Sequence, residues 1–224
     1  KGLIIICGPT GSGKTTTLYA ALREIDKESV SIATLEDPVE YKIDGLSQSQ
    51  IGKKGGIAFH EGLRALLRQD PDILVIGEIR DDETATIAVR AALTGHLVFS
   101  TIHANEAAAV PERLVDMGVP AYLVGDALLC TAAQRLVRRH CAVCGGTGCL
   151  ACNFSGYDGR DCLAEVIYFT SRTKEIVRRD ASVGAVQKGA QEAIFFKETA
   201  MAMVRDGLTD EREIMRVCGE DHEY

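Results

Sequence analysis

The chain has no tryptophan, and no apolar run in its 224 residues approaches the roughly 18 that a membrane-spanning helix needs. No transmembrane segment is expected. Low-complexity tracts and internal repeats are missing as well. Hydrophobic residues make up 46% of the chain, which excludes a disordered polymer and supplies a real core. Basic residues are in the minority. The net charge is −7 with no basic stripe, which argues against a dedicated nucleic-acid binder, so no direct nucleic-acid contact is expected. No leader-like segment precedes the first apolar stretch, so the expected compartment is the cytoplasm. The length suits one or two domains. Cysteine, in contrast, is plentiful. Eight residues are many for a chain without disulfides, and they need an account.

Through about residue 135, apolar strand-like runs alternate with helical patterns, the signature of an α/β fold with a mostly parallel sheet. The expected strands are Leu3–Cys7, Ser31–Leu35, Ile73–Ile76 and Leu97–Thr101. The expected helices are Thr15–Ile25, Phe59–Gln69, Glu83–Leu93, Ala107–Met117 and Ala121–Arg138, with Pro38, Pro71, Pro111 and Pro120 at their edges. Tyr41–Gly56 is polar and Gly-rich and reads as a hairpin or loop. Composition turns abruptly to Cys, Gly and small residues from His140 to about Gly159. Helix-like sequence resumes beyond Glu165. These shifts divide the chain into residues 1–139, 140–160 and a mainly helical 161–224.

Gly8-Pro9-Thr10-Gly11-Ser12-Gly13-Lys14-Thr15-Thr16 spells a phosphate-binding loop. It lies between a β-branched apolar run and a helical pattern, the setting in which that motif carries meaning. The glycines let backbone N–H groups turn inward toward phosphate oxygens, and the helix N-terminus adds partial positive charge there. Lys14 can reach the β- and γ-phosphates of ATP, and the Thr15 hydroxyl can ligate Mg²⁺. The alternative is a Gly-rich turn without a ligand.

Ligands of open α/β sheets sit at the carboxyl ends of the strands, so the residues ending each strand carry the next clues. The second strand ends at Glu36-Asp37, where a carboxylate could polarise the water that attacks a γ-phosphate. An acidic cap on a surface loop is the other reading. Ile73-Leu74-Val75-Ile76-Gly77-Glu78 has the Walker-B arrangement, with Glu78 as the Mg²⁺ residue. Asp81 and Asp82 read instead as the cap and first turn of the next helix. His96 precedes the fourth strand and His103 follows it. Only His103 faces the nucleotide edge, where it could report the γ-phosphate. His96 is as readily structural.

Cys141-x2-Cys144-x4-Cys149-x2-Cys152 is suited to a tetrahedral zinc site with four thiolate ligands. An iron–sulfur cluster and a reactive Cys-x2-Cys redox pair are weaker alternatives. Cys7, Cys130, Cys162 and Cys218 read as buried thiols. Arg64 and Arg68, four apart on one helical face, are candidates for arginines delivered across a subunit interface, with Arg135 as a third. A solvated helix face is the plainer reading.

Taken together, these segments resemble the secretion-superfamily ATPases that drive type II secretion and type IV pilus assembly. Glu36-Asp37-Pro38-Val39-Glu40-Tyr41 matches their Asp box. Leu63 to Asp72 and Gly77-Glu78-Ile79-Arg80-Asp81 match their Walker-B region, and Thr94 through His103 matches their His box. Ala133-Gln134-Arg135-Leu136-Val137-Arg138, the tetracysteine and Gly156-Tyr157-x2-Gly159-Arg160 complete the series. The resemblance covers essentially the whole chain. It implies a RecA-like P-loop ATPase core, with Glu36 as catalytic base, Glu78 at Mg²⁺ and His103 near the γ-phosphate. It also implies a homo-hexameric ring that couples ATP hydrolysis to subunit rotation and works on inner-membrane platform proteins. The tetracysteine marks an assembly or export motor rather than a retraction motor. Two departures stand out: a short spacer between the knuckles, and Ala104 and Glu106 where members often have Thr and Asp. The family also carries a domain upstream of the P-loop strand, so this chain is expected to be a fragment, with further intersubunit arginines outside it. Other classes compatible with these motifs are a nucleic-acid translocase on the same core and a zinc-dependent adaptor that binds nucleotide without turnover.

Overall fold

In the computed structural model, residues 1–51 and 58–219 are described. Its centre is an eight-stranded sheet in the order β3-β2-β4-β5-β1-β6-β7-β8. The strands are β1 (Gly2–Cys7), β2 (Ile32–Glu36), β3 (Ser47–Gln50), β4 (Ile73–Ile76), β5 (Leu97–Ile102), β6 (Leu128–His140), β7 (Tyr157–Tyr168) and β8 (Ala193–Ile194). From β3 to β6 every pairing is parallel, and β7 and β8 join antiparallel. The helices are α1 (Lys14–Arg23), α2 (Phe59–Leu67), α3 (Asp82–Leu93), α4 (Ala109–Asp116), α5 (Ala121–Ala127), α6 (Ser171–Arg179), α7 (Val183–Gly189), α8 (Phe196–Arg205) and α9 (Glu211–Cys218).

Period-two alternation along the central strands feeds two separate cores. Leu3, Ile5, Leu74, Ile76 and Val98 join the larger cluster, with residues of α3, α4 and α5. Ile6, Ile73, Val75 and Phe99 point the other way, onto Leu18, Tyr19 and Leu22 of α1. The sheet is thus covered on both faces, and its carboxyl edge is left for a ligand. As expected, Asp81 caps α3: its Oδ1 accepts from the Thr84 backbone N–H at 2.7 Å.

Three expectations need correction. The helix expected over Ala121–Arg138 stops at Ala127, and the thirteen residues Leu128–His140 form β6. This stretch pairs with β1 on one side and β7 on the other, so two ladders of backbone hydrogen bonds override its helical pattern. The polar Tyr41–Gly56 stretch contains β3, which runs parallel to β2, so its described part is not a hairpin; residues 52–56 lie outside the described residues. Beyond Glu165 the chain stays extended as β7 to Tyr168 before helices begin, and it returns to the sheet as β8.

The C-terminal helix α9 docks on β6 through a buried charge. Glu213 has no exposed surface, and it takes hydrogen bonds from Arg138 (backbone N–H and guanidinium) and from Arg216. Burial pushes its carboxyl up, but the bonds from Arg216 and Arg138 outweigh that and hold it at about 2.

Candidate nucleotide site and metal centre

Parallel strands align their carboxyl ends, and so bring segments distant in sequence to one edge. The Gly8–Gly13 loop follows β1, Glu36 ends β2, Glu78 follows β4 and His103 follows β5. These segments line a single cleft of about 830 Å³, along with Thr10, Thr15, Thr16, Arg80 and Tyr41. His96 lies at the far end of β5, where its Nδ1 is 3.0 Å from the Ala91 carbonyl oxygen.

The loop's shape depends on two glycines. Gly8 has φ 145°, and a side chain there would meet the Gln134 carbonyl oxygen at 2.6 Å. Gly13 caps α1 at φ 88°, with Gln134 Nε2 3.0 Å from where a Cβ would sit. Gln134 on β6 also donates from Nε2 to the Ser12 carbonyl at 2.5 Å, tying the loop to the sheet. Lys14 donates from Nζ to the Gly8 and Pro9 carbonyls at 2.9 and 3.0 Å. Burial lowers its ammonium below the usual lysine range, opposed by the charge of Glu78. Ser12 Oγ is buried without a hydrogen-bond partner among the described residues. A loop with an orphaned hydroxyl, a helix N-terminus and a lysine is chemically suited to an anion.

Glu36 is only 3% exposed, so it is not a solvated cap. Its Oε1 accepts from Thr34 Oγ1 at 2.7 Å and from Gln48 Nε2 at 3.3 Å, and its Oε2 accepts from the Tyr19 hydroxyl. The Tyr19 phenol is pushed well above its usual range, first by burial and then by that bond to Glu36. Glu78 is likewise held on both oxygens. Oε1 lies 2.7 Å from His103 Nε2, and Oε2 accepts from Arg80 at 2.8 Å. Arg80 extends the cluster toward Asp37, 3.7 Å away. An oxygen-rich pair such as Thr15 and Glu78 in the same cleft suits a hard divalent cation.

Tyr19 and Gln48 join the site without having stood out in the sequence, and Arg80 and Gln134, quoted there only within longer motifs, join it with no role assigned. Arg80 had a signal, standing two residues after Glu78. Gln134 lies in the stretch whose pattern suggests a helix. The three candidate arginines separate. Arg64 and Arg68 are exposed on and just beyond α2 and do not line the cleft. Arg135 is engaged within its own chain: it donates to the Asn105 carbonyl at 2.6 Å and lies 5.3 Å over the Phe196 ring.

The tetracysteine is carried at the tip of the β6–β7 hairpin. The four sulfurs of Cys141, Cys144, Cys149 and Cys152 lie within 4.8 Å of one another, and three of the separations are 3.8–3.9 Å. Tetrahedral metal–thiolate bonds of about 2.3 Å require sulfur–sulfur edges of about 3.8 Å, so the residues fit a four-coordinate ion. Backbone N–H groups of Gly148 and Cys149 point at Cys144 Sγ and Cys152 Sγ, both at 3.2 Å. The Cys149 N–H is the main reason the Cys152 thiol is brought down to about 6. Of the other cysteines, Cys7 is buried and Cys130 and Cys218 are half-buried. Cys162 is exposed, contrary to expectation, because strand alternation turns it away from the inward row of Leu163, Glu165 and Ile167.

Comparison with known proteins places this geometry among relatives. The family model described as "Type II/IV secretion system protein" matches residues 1–216. The type II secretion system protein HxcR of Pseudomonas aeruginosa is 46% identical over 226 residues, spanning 96% of this chain and 48% of its own length. The type II secretion system ATPase E of Vibrio cholerae is 41% identical over 245 residues, covering 98% and 49% respectively. The chain therefore spans about half the length of the curated relatives it matches. Among solved structures, the pilus retraction motor PilT with bound ADP superposes with a TM-score of 0.79 at 31% identity, covering 98% of this chain and 62% of that one.

Proposed function

Because the chain belongs to the type II/IV secretion system protein family, we propose that it is the catalytic part of an ATP-hydrolysing motor for type II secretion or type IV pilus assembly. The observation that carries this reading is the convergence of the P-loop, Glu36, Glu78 and His103 on one cleft. Residues Gly8 to Thr16 bind the phosphates, with Lys14 exchanging its two loop carbonyls for β- and γ-phosphate oxygens. Glu36 accepts a proton from the attacking water as the γ-phosphorus–oxygen bond to ADP breaks. Tyr19 and Thr34 hold its carboxylate in place. His103 donates to the γ-phosphate, and Glu78 orients it. Thr15 and Glu78 are the residues that would hold Mg²⁺, which supplies charge neutralisation on the phosphates.

We read residues 1–139 as the RecA-like core, 140–160 as a zinc-binding element and 161–224 as a C-terminal, mainly helical region. A homo-hexamer, with Arg64 and Arg68 reaching a neighbouring subunit's cleft, suits their exposure away from their own cleft. Action on inner-membrane platform proteins from the cytoplasmic side is part of this proposal, and the names of the relatives support a place in a type II secretion system. No described helix is long and apolar enough to cross a membrane.

The test is steady-state phosphate release from Mg-ATP. Turnover is expected, and added DNA is expected to leave it unchanged. A rate that appears only with DNA and collapses with salt would favour the translocase reading and sink this one. For the metal, Cys141, Cys144, Cys149 and Cys152 would hold zinc, which would cross-link the two knuckles. Elemental analysis of reduced protein is expected to find one zinc per chain, and chelation is expected to expose residues 140–160 to protease while ATP binding persists. Metal-free reduced protein with the same protease resistance would remove the zinc assignment.

A further inference from the structure

Inward positions on β7 are apolar at Leu163 and Ile167, and the strand pattern calls for another apolar residue between them. Glutamate stands there instead. Glu165 is 4% exposed, and a buried acid in a sheet is retained only where a specific interaction compensates its desolvation. Its Oε1 accepts the backbone N–H of Ala107 at 2.7 Å, 58 residues away in sequence. Its charge also reaches β1, where the Cys7 thiol is pushed up to about 12, first by burial and then by Glu165.

Ala107 belongs to the loop between β5 and α4 that begins with His103. Side chains of the surrounding strands fasten this loop by its backbone. Arg135 donates to the Asn105 carbonyl at 2.6 Å, and Thr131 Oγ1 donates to the Ala107 carbonyl at 2.9 Å. Both peptide groups of Ala107 are thus held, the N–H by Glu165 and the carbonyl by Thr131. At the loop's other end His103 Nε2 lies 2.7 Å from Glu78.

We infer that Glu165 is a positioning residue for γ-phosphate recognition: by accepting the Ala107 N–H it fixes the loop that aims His103 into the nucleotide cleft. The inference rests on the ATPase reading above. Glu165 does not line the cleft, and its hydrogen bond to Ala107 ties it to the loop that carries His103. It therefore acts on the state that carries a γ-phosphate and leaves ADP binding, which depends on the P-loop, unchanged.

Glu165→Leu continues the apolar row but removes the acceptor, leaving the Ala107 N–H unpaired. Glu165→Gln keeps an acceptor oxygen. Affinities for ADP and for a non-hydrolysable ATP analogue are measured by titration, together with Tm. The Leu variant is expected to lose roughly tenfold in its preference for the analogue over ADP, the effect of one buried donor left unsatisfied, with ADP affinity within about twofold. The Gln variant is expected to retain the wild-type preference. Should the Leu variant not fold, Thr131→Val, which releases the Ala107 carbonyl, is expected to shift the same ratio in the same direction. If ADP and analogue affinities fall together, if only Tm moves, or if Gln is as damaging as Leu, the positioning role is overturned. If the wild-type chain binds neither nucleotide, it is the ATPase reading that fails.

Discussion

Lys14→Ala is expected to lower ATP turnover by about 10²–10³-fold or more, the scale on which a preorganised charge at the reacting group acts. Its Nζ already lies at the mouth of the loop, bonded to the Gly8 and Pro9 carbonyls, and burial reduces its preference for the charged form. Moving onto phosphate oxygens exchanges two neutral acceptors for charged ones, so the gain is largest as negative charge shifts during transfer. The fold has little at stake. Lys14 opens α1, where alanine is a good helix former, and its side-chain bonds among the described residues run to backbone within the same loop. Phosphate release and thermal melting should therefore separate: turnover lost, Tm nearly unchanged. A Lys14→Ala protein that hydrolyses ATP at a near-normal rate would mean that the loop does not hold the reacting phosphates.

Glu36→Gln is expected to bind ATP with affinity within a few-fold of the wild type and to hydrolyse it about 10²–10⁴-fold more slowly, the range for a removed general base. The substitution keeps shape and volume in a position that is 3% exposed, so no cavity is made. The bonds from Tyr19, Thr34 and Gln48 test it more severely than sequence would suggest, because glutamine turns one acceptor into a donor. With the amide nitrogen turned toward Tyr19, whose hydroxyl can accept, the amide oxygen keeps the bonds from Thr34 and Gln48. Single-turnover measurement with bound ATP isolates the chemical step from release. Hydrolysis within about fivefold of wild type would remove Glu36 as the base and leave it a structural clamp for Tyr19.

Much of this site is legible in the sequence. The glycine-rich loop, the four-residue strand that leads to Glu78, the Asp81 cap and the paired cysteine knuckles are all set by residues close together in the chain. Short-range sterics and capping dictate their conformations, so spacing alone carries them. The edge rule then assigns His103 to the cleft and His96 to the opposite end, as the structure has it.

Leu128–His140 is not legible in the same way. Its local pattern suits a helix, and it becomes a strand because β1 and β7 offer ladders on both sides. With it go the partners it carries: Gln134, which reaches Ser12 across 122 residues, and Arg135, which fastens the His103 loop. The same holds for the cage around Glu36 and for Glu165 beneath Ala107.

The sequence by itself determined the glycine-rich loop between β1 and α1, the carboxylate just beyond β4 and the cluster of four cysteines, because each depends on neighbouring residues and backbone torsions. Only the tertiary structure decided what holds them in working position. Those contacts join strands far apart in the chain, and their energy comes from burial and hydrogen-bond pairing that no local window contains.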